Sequence, residues 1–523
     1  KTMLTFTTTG SVNALIKRDE ILSNYDYLVI DEAHERSSAM DMLLLFVKQM
    51  VMKRSSIKII IMSATIDLEV YRRYFTDPHF KFSFATLNIE GDPTYPRSLV
   101  YRAPHQFVRK GTDKKVIEDG LVAEIASILD RPPLRHDKKL TQYIITELKK
   151  SKKYKDTSNP VEDNINDGDI IAFVPAGSFG VNVCEKLKEL QKTKPQWQPF
   201  FCTTLEAKSA NKRVKDAKGV EVLKSDGKPA TEEYYATDEN AYKKHPTSDP
   251  QHPFTRKIVL TTEVAESSVT INGATYVIET AVKYESSFFP QTLSSELAIK
   301  FIARDAIMQR QGRVGRTEPG VVYHMYTEEQ FNNFADITTP DMRKIDLTSE
   351  ILEIMAMPGK DSIQAVRDFF LQLIEPPKDI FLESAVRTLH SLGAITSTAP
   401  HGRRNMFGRA MSYFRSPITP AQAKCLIISK YYNCSREMSQ LVALLDALGG
   451  KEINMGMLAD PKKGVSPFLV SKYGDHLTLL HAYQRYAAAR DKYAYCKTYN
   501  LKMPFFANVE EMSTKINNTV ETL

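Results

Sequence analysis

The residues best suited to chemistry are two adjacent carboxylates, Asp31 and Glu32, which directly follow the apolar run Tyr27–Ile30. A short β-branched and apolar run predicts a buried parallel strand, which would deliver the two acids to its carboxyl end. Ligands bind at that edge in open α/β sheets. Because Mg²⁺ prefers carboxylate and water oxygens, the pair suits a magnesium ion with a water beside it. The alternative is an exposed acidic turn at a helix N-terminus, a position that acids also favour.

A second polar group follows the next apolar run. Ser63-Ala64-Thr65 comes directly after Lys58–Met62, so small hydroxyl side chains are predicted at the end of the neighbouring strand. From there the hydroxyls of Ser63 and Thr65 could bond the acidic loop. Alone, this tripeptide is more often a structural turn, and its position after the acidic pair is what favours a functional role.

Arginines form the third group, in the segment Gln309–Arg316. Guanidinium groups match phosphate oxygens and stay charged at any relevant pH. Arg313 and Arg316 are spaced by three, which predicts that they face one side of a helix. Gly312 and Gly315 indicate close backbone approach. The segment therefore favours phosphate binding from an opposing domain over a solvated basic helix face.

The elements that must position these residues form an α/β pattern followed by a helical one. Residues 1–88 hold two predicted strands around the helix Ser38–Met52, which is half of a doubly wound domain. Residues 89–328 form a second α/β domain, with insertions near 130–167 and 206–254 and a hairpin near 284–304. Residues 329–396 and 397–523 are predicted to be mostly helical. The strand candidates of the second domain are Asp169–Val174, Lys257–Thr262, Ala274–Glu279 and Val321–Tyr326.

Composition bounds the class of protein. A chain of 523 residues is too long for one core and predicts several domains. The net charge of +7 permits a polyanionic partner without proving one. The apolar run Met42–Met52 is too short to span a bilayer, so no membrane partner is expected. Five scattered cysteines without a C-x-x-C pair predict reduced thiols, with neither a disulfide nor a zinc site.

These motifs, in this order, resemble those of the DEAH-box helicases of superfamily 2, of the spliceosomal type. Asp31–His34 reads D-E-A-H, and Thr262–Ile271 resembles the family's T-N-I-A-E-T-S-L-T-I, with Glu263 in place of the usual Asn. Gly474–Leu480 nearly reproduces the family's G-D-H-L-T-L-L. The resemblance covers almost the whole chain. It implies an α/β fold of tandem RecA-like domains, the first one partial, followed by mostly α winged-helix (329–396) and ratchet (397–523) domains.

The resemblance also implies ATP and Mg²⁺ as cofactors and a role for each motif residue. Asp31, with Glu32 beside it, would hold Mg²⁺ through water, and Glu32 would orient and activate the attacking water. His34 would link the acidic loop to the second domain. The implied catalytic residues are Asp31, Glu32, His34, Gln309, Arg313 and Arg316. The implied nucleotide-binding residues are Ser63, Thr65, Ser267, Gly312, Arg313 and Arg316. The implied nucleic-acid contacts are Thr8, Gly10, Gly177, Thr203 and Thr262.

The function that the resemblance implies is an ATP-dependent RNA helicase moving 3′-to-5′ on single-stranded RNA. It would be a monomeric motor in the nucleus or cytoplasm, with a protein activator docking on its C-terminal domains. The insertions and Glu263 point to a virus-encoded or otherwise divergent member, which would place it in a virion or viral factory.

The chain contains no G-x-x-x-x-G-K-[ST] loop, the usual backbone cradle for nucleotide phosphates. We therefore expect an N-terminally truncated first domain and no activity from this fragment alone. Two alternatives stay open: a helicase acting on DNA or RNA–DNA hybrids, and a non-enzymatic RNA-binding assembly subunit that retains a helicase shell. The intact acidic pair and arginines argue against the second, because a dead site has no need of buried charges.

Overall fold

The computed structural model describes most of the chain, in two compact units. The described residues are 4–54, 56–63, 68–76, 84–87, 95–102, 112–131, 168–205, 209–213, 231–235, 254–267, 271, 273–316, 319–414, 417–449, 453–460 and 463–523. Thr65 and most of the 130–167 insertion lie outside them. The first unit comprises Lys1–Ser287 and Ser295–Lys344, and the second comprises Phe288–Ser294 and Ile345–Leu523.

The first unit begins with a two-stranded parallel sheet. Strand β1 (Tyr27–Ile30) pairs with β2 (Lys58–Ile61), and Ile30 lies opposite Ile61. Helices α1 (Thr9–Ile16), α2 (Ser38–Lys53) and α3 (Leu68–Phe75) accompany them. Most apolar residues of α2 from Met40 to Met50 are buried, whereas Met52 near its end is 58% exposed. The expectation that β1 is buried on both faces is wrong, because Val29 is 51% exposed.

A six-stranded parallel sheet forms the rest of the α/β core. The strands are β3 (Arg97–Tyr101), β4 (Asp169–Phe173), β5 (Phe200–Leu205), β8 (Arg256–Thr261), β9 (Ala274–Glu279) and β12 (Gly320–His324). Their order in the sheet is β3-β12-β9-β4-β8-β5, and neighbouring strands are parallel. Strands β4, β8, β9 and β12 are buried throughout, because helices α4 (Lys114–Leu129) and α5 (Gly177–Thr193) pack beside them. The predicted α/β class and strand candidates are confirmed.

One cysteine prediction is wrong. Cys184 on α5 and Cys202 on β5 form a disulfide, and their Cα atoms are 5.6 Å apart. The two residues are 18 apart in sequence and have no C-x-x-C spacing, so their proximity arises only from the packing of α5 on the sheet. Cys425, Cys434 and Cys496 form no disulfide.

Two hairpins extend from this core. Strands β6 (Ser209–Arg213) and β7 (Thr231–Tyr235) pair antiparallel within the 206–254 insertion. Strands β10 (Val282–Phe289) and β11 (Ser294–Phe301) form the hairpin predicted near 284–304. Helices α6 (Val264–Ser267), α7 (Arg304–Gln311) and α8 (Glu328–Asn333) complete the first unit.

The second unit is helical, as predicted for the region after residue 328. Its helices are α9 (Thr348–Ile354), α10 (Ile363–Phe370), α11 (Asp379–Ser391), α12 (Met406–Met411), α13 (Pro420–Tyr431), α14 (Ser435–Leu448), α15 (Ile453–Met457), α16 (Asp475–Ala488), α17 (Lys492–Thr498) and α18 (Met503–Thr522). A short antiparallel bridge between Ser362 and Arg403 ties the segment after α11 to the start of α10, and a second bridge, between Ile395 and Arg404, lies within that segment. Among the described helices, none is both long and apolar enough to cross a bilayer.

Candidate functional site

The acidic loop turns sharply where β1 ends. Glu32 has φ 54°, a left-handed conformation that non-glycine residues rarely adopt. Its N–H donates to the Asp31 Oδ1 atom at 2.9 Å. The next N–H, of Ala33, donates to the Met62 carbonyl at 3.1 Å, which fixes the loop to the end of β2. The turn therefore holds both carboxylates at the carboxyl edge of the two-stranded sheet.

His34 bridges the two strand ends. Its Nδ1 atom lies 3.2 Å from the Ser63 hydroxyl, and its Nε2 atom lies 3.5 Å from Glu32 Oε2. The His34 side chain is only 7% exposed. The predicted bond between the Ser63 hydroxyl and the acidic loop is thus present, with His34 as its partner. In this arrangement, His34 orients the Glu32 carboxylate.

Buried side-chain and backbone contacts also hold the acidic loop in place. Arg36 follows the D-E-A-H tetrapeptide and its Nε atom donates to Asp41 Oδ1 at 2.6 Å, with both side chains nearly inaccessible. Tyr71 on α3 donates its hydroxyl to the Ala33 carbonyl at 2.8 Å. The Arg36 carbonyl in turn accepts the N–H of Asp341 at 3.1 Å. The loop is therefore tied to α2, to α3 and to the segment after the six-stranded sheet.

The arginine segment does not continue as a helix. Helix α7 ends at Gln311, with Gly312 as its C-cap, so the prediction that Arg313 and Arg316 share one helical face is wrong. A helix through Arg316 is also excluded by Gly315, which has φ 75° and lies so close to Arg97 that an added Cβ would be 2.7 Å from Arg97 Cγ. The close approach expected of Gly315 is confirmed. Both arginines instead fold back on the helix end.

The folded-back geometry is defined by two hydrogen bonds. Arg313 donates its Nε–H to the Gln309 carbonyl at 3.5 Å. Arg316 donates its Nε–H to the Gly312 carbonyl at 2.8 Å. The two guanidinium groups lie near enough for Arg316 to lower the pKa of Arg313.

The acidic loop and the arginine segment influence each other electrostatically. Burial and the neighbouring Arg316 lower the pKa of Arg313 to about 10, while Glu266 and Glu32 act in the opposite direction. Burial raises the pKa of Glu35, and the carboxylates of Glu32 and Glu266 raise it further. Acids from the first sheet and charges from the second thus lie within electrostatic range of one another. The two predicted halves of the site belong to the same compact unit.

Arg310 is a residue of this site that sequence reasoning missed. Its side chain is only 1% exposed, and its Nε and Nη1 atoms donate to Glu266 Oε2 at 2.9 Å and Glu279 Oε1 at 3.1 Å. Its guanidinium lies over the ring of Phe173, 4.7 Å from the centroid. The arginine therefore joins α7 to α6 and to the end of β9. The signal was Glu279, a carboxyl at the end of an otherwise apolar strand that needs a buried partner.

The predicted nucleic-acid residues occupy three places. Thr8 caps α1, accepting the Ser11 N–H at 3.4 Å, and Gly10 in the same turn is exposed. Gly177 begins α5 after β4, and Thr262 follows β8, so both lie at the same edge of the six-stranded sheet. Thr203 lies within β5, opposite Val259, instead of at the strand end. Ser267 is the last residue of α6.

The acidic pair fits a magnesium ion by the chemistry of its donors. Asp31 is exposed and Glu32 is partly exposed, and both offer carboxylate oxygens. Among the described residues no group of three or more His, Cys, Asp and Glu side chains converges as a metal cage. Mg²⁺ does not require such a cage, because it retains waters and takes the rest of its ligands from substrate phosphates.

Comparison with known proteins agrees with these motifs. Residues 1–73 match the DEAD/DEAH box helicase family. L540 of Acanthamoeba polyphaga mimivirus, named a putative ATP-dependent RNA helicase, is 27% identical over 95% of this chain and 62% of its own length. Human ATP-dependent RNA helicase DHX29 is 26% identical over 94% of this chain and 35% of its own length. The chain thus spans between about a third and three fifths of the length of these relatives.

Proposed function

We propose that this chain, whose first 73 residues match the DEAD/DEAH box helicase family, forms most of the motor of an ATP-dependent RNA helicase. The observation that supports the proposal is the acidic loop, fixed at the carboxyl end of β1 by the contacts of His34 with Glu32 and Ser63, with Arg313 and Arg316 in the same compact unit. Phosphoryl transfer to water depends mainly on positioning and charge neutralisation. These groups supply both.

Each residue has a distinct task in the hydrolysis of ATP. Asp31 would hold Mg²⁺ through water, and the ion would neutralise charge on the phosphate oxygens. Glu32, held by His34 at 3.5 Å, orients the attacking water and accepts its proton. Arg313 and Arg316 stabilise the charge that develops on the transferred phosphoryl group. Arg313 carries out this task from a half-buried position, where a charge interaction is screened less by solvent.

RNA would contact the first unit at the carboxyl edge of the six-stranded sheet. Thr262 and Gly177 lie where strands β8 and β4 end, and α6 begins two residues after Thr262. Because Glu266 on α6 is bonded to Arg310 on α7, a displacement of the Thr262 segment by RNA reaches the helix that precedes Arg313. We propose that the motor moves 3′-to-5′, opening and closing its two α/β domains with each ATP.

The proposal extends to setting and partners. We propose single-stranded RNA as the track, a monomeric motor, and a protein activator that docks on the helical unit. The relatives named as RNA helicases, one of them viral, support a nuclear or cytoplasmic protein or one of a viral factory.

Strand separation tests the direction of movement. The natural polypeptide is given ATP and an RNA duplex that has a single-stranded tail on either the 3′ or the 5′ side. We expect the 3′-tailed duplex to be unwound and the 5′-tailed and blunt duplexes to persist. The released strand is followed by gel or by fluorescence.

Matched substrates separate the alternatives. Equal unwinding of a duplex whose 3′ tail is DNA would favour the DNA or hybrid helicase, because contacts to the 2′-OH are what distinguish RNA. Binding of every tail without any ATP-dependent unwinding would favour the assembly subunit.

A further inference from the structure

The positive charge of the chain is concentrated in one segment. Residues 384–436 contain eight Lys and Arg and no Asp or Glu, whereas the rest of the chain carries 62 basic and 63 acidic side chains. The net charge of +7 therefore comes from this segment alone. The segment belongs to the second unit and runs from within α11 to the start of α14. A block of one sign at this scale favours a polyanionic partner.

Within the segment, the side chains of Arg403, Arg404, Met406, Arg409 and Tyr413 form what we call the arginine face. The Arg404 side chain lies over Gly408, where an added Cβ would be 2.9 Å from Arg404 Cγ. Its Nη1 atom donates to the Ser412 hydroxyl at 2.8 Å. Arg404 is thus fixed along helix α12, beside Arg409 and next to Tyr413.

The charges of this face are only partly compensated. Burial and the neighbouring Arg409 lower the pKa of Arg404, while Asp361 and Tyr413 act in the opposite direction. Asp361 is the carboxylate at hand, with its Oδ2 atom 3.4 Å from Arg403 Nη1. The Nε–H of Arg404 is buried and has no hydrogen-bond partner among the described residues. Two guanidinium groups, those of Arg403 and Arg404, therefore share one carboxylate, and one donor of Arg404 is left without an acceptor among the described residues.

The exposed neighbours indicate what kind of anion fits. Tyr413, which acts electrostatically on Arg404, is 68% exposed, and Met406, three residues before Arg409 on α12, is 86% exposed. Arginine forks pair with phosphate oxygens, and bases of single-stranded RNA stack on aromatic rings. The carboxylates of an acidic peptide would pair with the guanidinium groups, but they would not stack on the Tyr413 ring as a base does.

We propose that the arginine face is a second RNA site, which holds the phosphodiester backbone outside the motor. The identity of the polymer rests on the proposed function, whereas the site itself rests on the charge and geometry of the second unit. RNA held here would stay bound while the motor releases and regrips its own segment.

The test is the salt dependence of RNA binding by the natural polypeptide. Anisotropy of a labelled single-stranded RNA is measured between about 50 and 200 mM salt. Each phosphate contact to single-stranded nucleic acid contributes about 0.7 to the slope of log K against log salt. We expect Arg409→Gln to lower the slope by about 0.7, Arg403→Gln/Arg409→Gln to lower it by about 1.4, and Arg409→Lys to retain it.

The control removes two positive charges elsewhere on the second unit. Lys492→Gln/Lys515→Gln leaves the arginine face intact, and both lysines are paired with acids, Glu510 and Glu511. We expect the control to retain the wild-type slope. Thermal unfolding checks that the arginine variants remain folded, and both arginines chosen are exposed.

The outcomes separate this inference from the proposed function. A wild-type slope in folded Arg403→Gln/Arg409→Gln overturns the RNA site and leaves the motor untouched. A reduced slope in a protein without RNA-stimulated ATP hydrolysis supports the site and overturns the motor. If polyglutamate displaced the labelled RNA from the wild-type protein at a lower concentration than unlabelled RNA does, the arginine face would be assigned to an acidic protein.

Discussion

Replacing Glu32 with Gln should lower ATP turnover by about 100- to 10,000-fold, the usual effect of losing a positioned proton acceptor. The amide keeps the size of the side chain, so the contact with His34 remains while the carboxylate is lost. We expect the affinity for ATP to stay near the wild-type value, because Glu32 acts on water and not on the nucleotide. Steady-state hydrolysis gives kcat, and nucleotide binding by fluorescence gives the affinity.

A surface glutamate of the same domain is the matched control. Glu20 is 61% exposed and is paired with Lys53. Glu20→Gln should leave kcat unchanged. If Glu32→Gln retained more than about a tenth of the turnover, the assignment of Glu32 as the residue that activates water would be wrong.

Replacing Arg310 with Met should destabilise the first unit by about 3–5 kcal/mol, because it leaves buried carboxylates without a counter-ion. Glu279 is fully buried, and burial already raises its pKa. The double variant Arg310→Met/Glu279→Gln should recover part of the loss, since the buried acid is then neutral. Denaturant unfolding followed through Trp197, the only tryptophan of the chain and a buried residue of this unit, reports the change.

The other end of the same helix provides the comparison. Arg304 at the start of α7 is paired with the exposed Asp336. Removing this pair with Arg304→Gln should cost about 0–1 kcal/mol, the range of solvent-exposed ion pairs. Equal losses in Arg304→Gln and Arg310→Met would contradict the special role given to the buried pair.

Patterns of adjacent residues in the sequence predicted much of this architecture. The acidic pair after β1, the hydroxyl after β2 and the buried strands β4, β8, β9 and β12 are all local signals, because side-chain periodicity and strand ends are properties of neighbouring residues. The order of the motifs along the chain is also what makes the sequence resemble the DEAH-box helicases. Those features lie where expected.

Features made by packing across the chain were not predicted. Spacing alone suggested a helix through Arg316, but Gly315 adopts positive φ against Arg97 and ends that possibility. The Cys184–Cys202 disulfide depends on how α5 lies on the sheet. Arg310 looked like one more basic residue in a basic run, since its glutamate partners are 44 and 31 residues away.

The central claim is that one site, formed by the acidic loop and the arginine segment, hydrolyses ATP in response to RNA. The most direct measurement is ATP hydrolysis by the natural polypeptide with and without single-stranded RNA, beside Arg313→Gln. We predict turnover that RNA stimulates and that Arg313→Gln abolishes without loss of RNA binding. Turnover that is absent in the wild type while RNA binding is intact, or that persists unchanged in Arg313→Gln, would contradict the claim.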